Sequence, residues 1–418
     1  MPSTLQKLLK KLGPGFITGS SDNDPSGIAT YTQVGAQFGF GMLWTAFFSL
    51  PLMLAVQEMS ARIGMVAGDG VTAVLRQKYP KYLLWIFVTL LLIANTVNIG
   101  ADLGAMADAA HLLIPEAPFA VLAILFTFVI LILEIFLTYK TYSQVLKWLC
   151  LSLLSYVVTA FIVTSNWPML LANTVLPHVE LTRNFMLAVV AVLGTTISPY
   201  LFVWQSHEEI EEEISEGRVN LAQRKGAKKN EIHDMRMDTV IGMSFSQIVT
   251  FFIISTAVMT FFVHGLHNIQ TTADAARALT PLAGPFAAYV YAIGIIGTGL
   301  LAIPVLSASA SYAFADAFGW SEGLYKKFRE AHGFYGVITV STLIGLLINF
   351  VGINPIQALI WTAVLNGLVT PPIIAIMLAV ANNKKIMGKW KNGWLSNLFC
   401  GLTLAVTAVC GVLLFVLK

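Results

Sequence analysis

The sequence predicts an all-α integral membrane protein with eleven transmembrane helices, arranged as two inverted repeats of five helices plus one extra helix. Three observations support this fold class. Of the 418 residues, 56% are hydrophobic and only 11% are charged, whereas about half and about a quarter are usual in soluble domains. The mean hydropathy is +0.75, so most of the surface must face lipid. Long apolar runs are separated by short polar links, and the basic residues concentrate on alternate links.

Eleven stretches are long and apolar enough to be predicted as membrane spans. A span needs about 20 mainly apolar residues. The predicted spans are residues 13–39, 43–67, 82–112, 119–137, 147–164, 184–206, 239–264, 287–318, 334–350, 354–380 and 394–417. The N-terminal region lacks the plain apolar core and small-residue cleavage site of a signal peptide, so the first span is expected to remain. Residues 1–12 then form a short cytoplasmic N-terminus.

The distribution of Lys and Arg predicts the orientation of these spans, because short cytoplasmic loops collect basic residues. With the N-terminus in the cytoplasm, 22 of the 25 basic residues fall in cytoplasmic segments or at the cytoplasmic ends of spans, and the exceptions are Arg183, Arg277 and Lys418. One missed or invented span would invert every later loop and remove this asymmetry. The sequence therefore predicts a multi-pass protein of the inner (plasma) membrane with a cytoplasmic N-terminus and an extracellular C-terminus.

The first span is interrupted near its centre. Residues 13–31 place Gly, Ser, Thr, Pro and two aspartates where an apolar helix centre should be, and an ionised Asp there costs about 2.5 to 3.5 kcal/mol. Because the charge distribution requires a span here, these residues must face the protein interior. Pro25 removes a backbone donor and Gly27 relaxes the chain, so the helix is predicted to break at residues 24–27. The freed carbonyls and Asp24 form a predicted cation site.

A second interruption is predicted in the sixth span, where residues 194–200 read GTTISPY. The two broken helices open two groups of five spans, residues 13–164 and 184–380, and the span 394–417 is left over. Because five is odd, the groups have opposite orientations and form an inverted repeat whose broken helices meet near the middle of the membrane. This arrangement is typical of secondary transporters. The alternative is an ordinary proline kink.

The longest link, residues 207–238, is acidic in its first half and basic in its second half. We interpret it as a solvated cytoplasmic helix pair of mixed charge rather than as a regulatory or metal-gathering loop. The seven histidines have no paired spacing that indicates a metal site. The cysteines Cys150, Cys400 and Cys410 lie in apolar runs and are interpreted as packing residues.

Several motifs resemble those of the Nramp family of divalent-metal transporters, whose fold is LeuT-like. Residues 13–16 read GPGF and residues 24–27 read DPSG, similar to the GPGF and DPGN motifs of the family's first helix. Residues 196–200, TISPY, stand in the place of its sixth-helix MPH motif. The similarity extends to residues 61–64 and 384–388 and covers nearly the whole chain. The resemblance therefore implies a LeuT-like fold.

The departures from the family pattern change the ion that is expected. In the family, the Asp and Asn of DPGN, the Met of MPH and a carbonyl one turn earlier bind Mn²⁺ or Fe²⁺. Here Asp24 is kept, whereas Gly27 and Ser198 replace the Asn and the Met. A thioether favours transition metals, while oxygen ligands and water suit Mg²⁺. The pattern resembles the Nramp-related magnesium transporters and implies a metal site at Asp24, Gly27, Ser198 and the Thr195 carbonyl.

Four further polar residues are expected to line this site, namely Asp22, Tyr200, Asn366 and Asp102. Asp22 is interpreted either as a second ligand or as part of the access path. Asp102 lies near the place of an acidic proton-path residue of the family, but the histidine of the sixth helix is replaced by Tyr200. A tyrosine stays protonated at neutral pH and is a poor proton carrier. Transport without obligatory proton coupling is therefore predicted.

These observations favour a secondary transporter for Mg²⁺ and Mn²⁺ that works by alternating access, and not an enzyme, since GxSxG and HExxH motifs are absent. The alternative is a proton-coupled Mn²⁺/Fe²⁺ importer of the ordinary Nramp type. A sodium-coupled amino-acid carrier is disfavoured because Asp22 and Asp24 would repel a substrate carboxylate. The net charge of only +3 argues against nucleic-acid binding. The expected partners are the metal ion and the lipid bilayer; no cofactor and no obligatory protein partner are expected.

Overall fold

The structure, a computed structural model, describes residues 13–136, 153–164 and 166–417. This part of the chain contains helices and no strand. The α-helices are α1 (Pro14–Ser21), α2 (Pro25–Phe38), α3 (Trp44–Ala67), α4 (Val71–Lys78), α5 (Lys81–Leu113), α6 (Phe119–Phe136), α7 (Leu154–Val163), α8 (Trp167–Val175), α9 (Arg183–Thr196), α10 (Pro199–Ser215), α11 (Leu221–Arg224), α12 (Lys229–Thr260), α13 (Thr272–Ala276), α14 (Thr280–Ala283), α15 (Ala287–Phe318), α16 (His332–Ile348), α17 (Pro355–Ala381), α18 (Lys384–Met387) and α19 (Trp394–Val416). Short 3₁₀ turns lie at Gly39–Met42, Phe262–His264, Arg277–Leu279, Gly284–Phe286, Phe328–Glu330, Asn349–Val351 and Gly388–Trp390.

Within the described residues, eight helical segments are long and apolar enough to cross a membrane, or nine if one bent pair counts as a span. The eight coincide with the third, fourth and sixth to eleventh predicted spans. The bent pair, Pro25–Met42 and Trp44–Ala67, turns by 103° and lies where the first two spans are predicted. Helix α7 is apolar but short, and residues 147–152 of the fifth predicted span lie outside the described part. The count of eleven spans therefore stays a prediction.

Both predicted helix interruptions are present. Helix α1 ends at Ser21 and α2 begins at Pro25, while α9 ends at Thr196 and α10 begins at Pro199. A proline opens each second half, where its missing N–H removes no helical hydrogen bond and its fixed φ suits the first turn. Because these helix ends lie inside the protein, their backbone groups need partners other than bulk water.

The helices pack in two groups around the broken ones. In the first group α12 lies against α1, α2 and α3, and α3 also contacts α10. In the second group α15 and α16 pack on α5 and on each other, and α6 also packs on α5. Helix α17 contacts α2, α5, α9 and α19. The first helix break therefore lies where the two groups meet.

Glycines bring the first half of each broken helix into backbone contact with a neighbour. A Cβ atom at Gly19 would clash with the Gly242 carbonyl, and a Cβ at Gly242 would clash with the Gly15 carbonyl. A Cβ at Gly194 would clash with the carbonyl of Ala363. Small residues allow this close approach between membrane helices. Helices α1 and α9 are thus held directly against α12 and α17.

The outer surface of the bundle is strongly apolar. Phe136 on α6 and Phe415 on α19 are 77% and 74% exposed. In helices α6 and α19 only about a third of the residues in the most apolar stretch are buried inside the protein. An exposed surface of this composition faces lipid, as the amino-acid composition predicts.

Most of the acidic side chains in the first half of the link 207–238 are buried, so our interpretation of this half as a solvated helix is wrong for those residues. Helix α10 continues to Ser215, and four of its glutamates are buried, namely Glu208, Glu209, Glu211 and Glu213. The reason is that α10 packs against α1, α3 and α15 together, so charged side chains on several of its faces are covered. The basic half does carry exposed side chains, including Lys225, Lys228 and Lys229.

Candidate metal site

Asp24 is the N-cap of α2, and two donors orient its carboxylate. Its Oδ1 accepts a hydrogen bond from the Gly27 N–H at 2.6 Å, and its Oδ2 accepts one from Asn98 Nδ2 at 3.0 Å. Asp24 is only 3% exposed. A carboxylate has about four acceptor positions, so two remain for a cation.

Gly27 faces the same carboxylate but contributes no side chain. A Cβ atom built on Gly27 would lie 3.3 Å from the Asp22 carbonyl oxygen, from Asp24 Oδ1 and from the ring of Tyr31. Any larger residue here would therefore project its side chain into the break. The glycine leaves this space open between the carboxylate and the carbonyl.

Asp22 and Asn23 attach the non-helical segment to α12. Asp22 Oδ2 accepts a hydrogen bond from Ser246 Oγ at 2.5 Å, and Asn23 Nδ2 donates to the same hydroxyl oxygen at 3.0 Å. Thr250 Oγ1 donates to Asn23 Oδ1 at 3.2 Å. Asp22 is fully buried, and its Oδ1 has no hydrogen-bond partner in the described residues.

Asp102 approaches the break from α5 and is also fully buried. No side chain among residues 13–136, 153–164 and 166–417 forms a hydrogen bond with its carboxylate, and the backbone N–H of Ser26, at the start of α2, lies close enough to stabilise its charge. Its charge acts on that of Asp24, as does the charge of Asp22. No salt bridge in this part of the chain includes any of the three carboxyl groups. Buried acidic groups of this kind need a compensating cation or a proton.

The second break presents carbonyl and hydroxyl oxygens. The Ser198 hydroxyl donates toward the Gly194 and Thr195 carbonyl oxygens, at 2.7 and 2.6 Å. It therefore satisfies carbonyls at the end of α9, while its own lone pairs stay available. The Thr195 carbonyl likewise retains a second lone pair. Ser198 and Thr195, the two ligands predicted at this break, are buried, and each offers an oxygen atom that can bind a metal ion.

Two buried tyrosines connect one broken helix to the other. Tyr31 on α2 shares a hydrogen bond of 3.1 Å with Thr196 Oγ1 and accepts one of 2.7 Å from Thr195 Oγ1. Tyr200 on α10 donates to the Ser21 carbonyl at 3.1 Å. The Tyr31 connection joins the second half of the first broken helix, α2, to the first half of the other broken helix, α9. The Tyr200 connection joins the remaining two halves, α10 and α1. The two connections therefore lie on opposite sides of the breaks.

Asn366 lies on α17, beside the second break. Its Oδ1 is buried without a hydrogen-bond partner in the described part of the chain. One turn later, Thr370 Oγ1 donates to the Ile197 carbonyl at 2.9 Å. The structure thus brings Asp22, Asp24 and Asp102 together at the first break, and places Asn366 at the second.

Comparison with known proteins identifies the family. The Nramp family, described as natural resistance-associated macrophage protein-like, matches residues 15–417. The chain belongs to the Nramp family. Among its relatives, the divalent metal cation transporter MntH of Caldanaerobacter subterraneus is 24% identical over 385 residues, which cover 92% of this chain and 87% of that protein.

Solved structures share the fold of this Nramp protein. The Eremococcus coleocola manganese transporter superposes with a TM-score of 0.75 at 16% identity, covering 100% of this chain and 88% of that chain. Mhp1, a nucleobase-cation-symport-1 family transporter in a closed conformation, gives a TM-score of 0.60 at 13% identity, covering 97% and 90%. The predicted LeuT-like fold and the predicted family are confirmed. The assignment to the magnesium branch stays a prediction.

Sequence reasoning missed Asn98, Tyr31 and Ser246 of this Nramp protein. Asn98 has a usable signal, because it lies four residues before Asp102 in an apolar span and therefore on the same helix face. Tyr31 and Ser246 lie among other hydroxyl-bearing residues in membrane helices, where a hydroxyl commonly bonds its own helix. Nothing in the sequence distinguishes them.

Proposed function

We propose that this Nramp protein is a secondary transporter that carries Mg²⁺ and Mn²⁺ by alternating access. One observation carries the proposal: three buried carboxyl groups, Asp22, Asp24 and Asp102, meet at a helix break with no basic partner in the described residues. A divalent cation would neutralise such a group. The names of the relatives, which include a divalent metal cation transporter and a manganese transporter, support the substrate class.

The choice of ion follows from the ligand chemistry. We propose that Asp24, the Thr195 carbonyl and Ser198 bind the ion, and that Gly27 leaves room for its water. The side chains proposed to line the site also carry oxygen atoms, as carboxylate, hydroxyl or amide groups. They belong to Asp22, Asp102, Tyr200 and Asn366. Mg²⁺ keeps several waters and binds one or two carboxylates, and Mn²⁺ accepts the same ligands. No resident cofactor is proposed.

We propose that two cavities lead the ion toward the breaks, one from each side of the membrane. A cavity of about 430 Å³ lies between α2, α9 and α17, and it has polar but uncharged lining residues such as Gln33, Asn184 and Gln357. A cavity of about 570 Å³ lies beside α1, and seven acidic residues line it: Glu209, Glu212, Glu213, Glu216, Glu231, Asp234 and Asp238. In the predicted orientation the first cavity faces outside and the second faces the cytoplasm.

Neither cavity is lined by residues of the breaks, and we propose that the tyrosine connections close the paths between the cavities and the buried carboxylates. We propose that the bond between Tyr31 and α9 opens when the site faces outside, and that the bond between Tyr200 and Ser21 opens when it faces the cytoplasm. Tyr31 forms two such hydrogen bonds and Tyr200 forms one, and each has a net contribution of about 0.5 to 1.5 kcal/mol. Such bonds can be exchanged for water at a low free-energy cost.

Proton coupling is proposed not to be obligatory. Tyr200 stands where the family has its sixth-helix histidine, and no histidine is among the contacts described for the breaks. Asp102 is the remaining group that could carry a proton. For this reason a proton-coupled Mn²⁺/Fe²⁺ importer of the ordinary Nramp type is the alternative function.

The test is ion uptake by the purified full-length protein in liposomes under an inward-negative membrane potential. Mg²⁺, Ca²⁺, Mn²⁺ and Fe²⁺ are added separately and in competition, and internal dyes report their entry. We expect Mg²⁺ and Mn²⁺ to enter and to compete with each other. Entry of Mn²⁺ without entry or competition by Mg²⁺ would overturn the magnesium assignment, and entry of no ion would overturn the transport proposal.

A further inference from the structure

A histidine and two carboxylates meet at a second place, away from both helix breaks. His207 lies on α10, Asp316 lies near the end of α15, and Glu322 lies in the segment between α15 and α16. His207 Nε2 is 3.2 Å from Asp316 Oδ2 and 3.9 Å from Glu322 Oε1. One ligand atom from each residue lies within 4.8 Å of the other two. In the predicted orientation this cluster is at the cytoplasmic end of the bundle.

The imidazole of His207 is held with one nitrogen directed at the carboxylates. His207 is only 2% exposed, and its Nδ1 is 2.9 Å from the Val203 carbonyl. Because a carbonyl can only accept, Nδ1 must carry the proton. Nε2 faces Asp316 Oδ2 at 3.2 Å, so without a metal ion it donates a proton to this carboxylate, and a bound metal ion would take the place of that proton. Metal-binding histidines have this arrangement, with the other ring N–H donating to a backbone carbonyl or a carboxylate.

Two further contacts fix the position of the ring. The His207 ring stacks on Tyr312, with the ring centroids 4.2 Å apart and the planes at 23°. A Cβ atom on Gly70 would clash with His207 Nε2, so the glycine leaves the space beside this nitrogen free of side-chain atoms. The ring is therefore oriented before any ligand binds.

Two carboxyl groups face the single imidazole in this cluster. Glu322 Oε2 is buried without a hydrogen-bond partner in the described residues. Asp316 Oδ2 accepts one backbone hydrogen bond, from Ala73 N at 3.0 Å. A metal ion bound between the two carboxylates would compensate for the burial of these oxygens.

We propose that His207, Asp316 and Glu322 form a binding site for a divalent transition-metal ion such as Mn²⁺, separate from the transport site. Imidazole nitrogen suits transition metals, whereas Mg²⁺ prefers oxygen ligands alone. Ligand bonds of about 2.1 Å place ligand atoms roughly 3.0 to 3.4 Å apart. The observed 3.2 Å lies in this range, so only Glu322 has to move closer. An ion bound here ties α10 to α15, which restrains the second half of the sixth predicted span.

The test uses the full-length protein with Asp24→Asn, which weakens the transport site, and Mn²⁺ as the probe. Pulsed electron paramagnetic resonance detects the coupling of bound Mn²⁺ to a ¹⁴N nucleus of an imidazole ligand. Because no histidine is among the contacts described at the breaks, this coupling distinguishes the second site from the first. We expect nitrogen-coupled Mn²⁺ that persists in excess Mg²⁺.

Substitutions identify the ligands. On the Asp24→Asn background, His207→Gln is expected to remove the nitrogen coupling and to weaken Mn²⁺ binding by at least about tenfold. Glu322→Gln, in a segment partly open to solvent, is expected to weaken binding but to keep the coupling at saturating Mn²⁺. His178→Gln is the matched control, since His178 is exposed and also lies 3.2 Å from a glutamate, Glu180.

Two results would overturn the site. One is the absence of nitrogen-coupled Mn²⁺ from the Asp24→Asn protein, which would leave the cluster as a histidine–carboxylate ion pair. The other is coupling that survives His207→Gln. Because Glu322→Gln leaves the buried ring in place, unchanged affinity in this variant would remove Glu322 from the site even if His207→Gln fails to fold. Uptake is not used as a readout, so the test is independent of the proposed transport function.

Discussion

Asp24 has two tasks that a substitution can separate. Its Oδ1 caps α2 through the Gly27 N–H, and its Oδ2 is held by Asn98. Asparagine is about as good an N-cap as aspartate, because its amide oxygen accepts the same backbone hydrogen bond. Asparagine therefore removes the negative charge and keeps the cap, and Asn98 can keep its contact by turning its amide so that its unpaired Oδ1 accepts from the new Nδ2.

Asp24→Asn is expected to reduce Mg²⁺ and Mn²⁺ uptake to the level of protein-free liposomes, while the melting temperature in detergent stays close to that of the wild type. The reason is that a neutral amide binds a divalent ion much more weakly than a carboxylate. Asp108→Asn is the control, because Asp108 lies on the same helix as Asp102 and accepts a hydrogen bond from Thr272. Calorimetry that shows unchanged Mg²⁺ binding by a well-folded Asp24→Asn protein would remove Asp24 from the ligand set.

The ion preference is expected to depend on Gly27 and Ser198. Gly27→Asn adds an amide beside Asp24 Oδ1, and Ser198→Met adds a thioether, which favours transition metals. We expect the double variant to raise the ratio of Mn²⁺ to Mg²⁺ uptake about tenfold, equivalent to about 1.4 kcal/mol. Competition uptake measures this ratio, with each single variant as a reference. A ratio equal to that of the wild type would contradict the proposed position of the ion.

At the scale of elements, α1 is fixed at both ends although it has only eight residues. Asp238 on α12 accepts hydrogen bonds from Gly13 N at 3.0 Å and from Gly15 N at 2.6 Å, which satisfies backbone groups at the start of α1. Tyr200 donates to the carbonyl of its last residue, Ser21. A helix this short is not stable alone, so tertiary contacts hold it against α12.

Gly19→Ala is expected to destabilise the protein and to lower uptake. The added methyl group would clash with the Gly242 carbonyl, and overpacking of this kind costs about 1 to 3 kcal/mol. Thermal unfolding in detergent measures the stability. Gly401→Ala on α19 is the control, because a Cβ there meets no atom within 4 Å and alanine is the better helix former. Equal melting temperatures for the two variants would show that the contact between α1 and α12 is not tight.

At the scale of the whole molecule, charge is arranged to favour cations. The formal net charge is +3, yet the larger of the two cavities beside the breaks has seven acidic residues in its lining and only one arginine, Arg218. A cleft that is lined by charges of one sign raises the local concentration of ions of the opposite sign. In the predicted orientation this cavity faces the cytoplasm, where the carried ion would leave.

Transport is expected to proceed without obligatory proton coupling. An inward-negative potential supplies about 2.3 kcal/mol per charge per 100 mV to an ion that crosses the full field, so a divalent ion needs no proton to enter. The measurement is lumen pH, reported by a dye in liposomes to which Mg²⁺ is added outside. We expect no acidification beyond that of protein-free liposomes. Acidification that follows the Mg²⁺ concentration would favour the proton-coupled alternative.

The sequence by itself determined the features that depend on neighbours along the chain. Hydrophobic runs predicted a membrane protein, because lipid selects apolar side chains residue by residue. Pro25 and Pro199 predicted the helix breaks, because proline lacks a backbone donor wherever it stands. Asp24 was expected at the first break because it directly precedes Pro25 in the sequence.

The tertiary structure decided which distant groups meet. Asn98 lies 74 residues from Asp24 and Ser246 lies 224 residues from Asp22, and no local pattern encodes such pairings. Burial of the α10 glutamates and the approach of His207 to Asp316 also depend on how α10 packs against α15. The physical reason is that helix formation follows from short-range backbone geometry, whereas the partner of a polar side chain is chosen by the packing of whole helices.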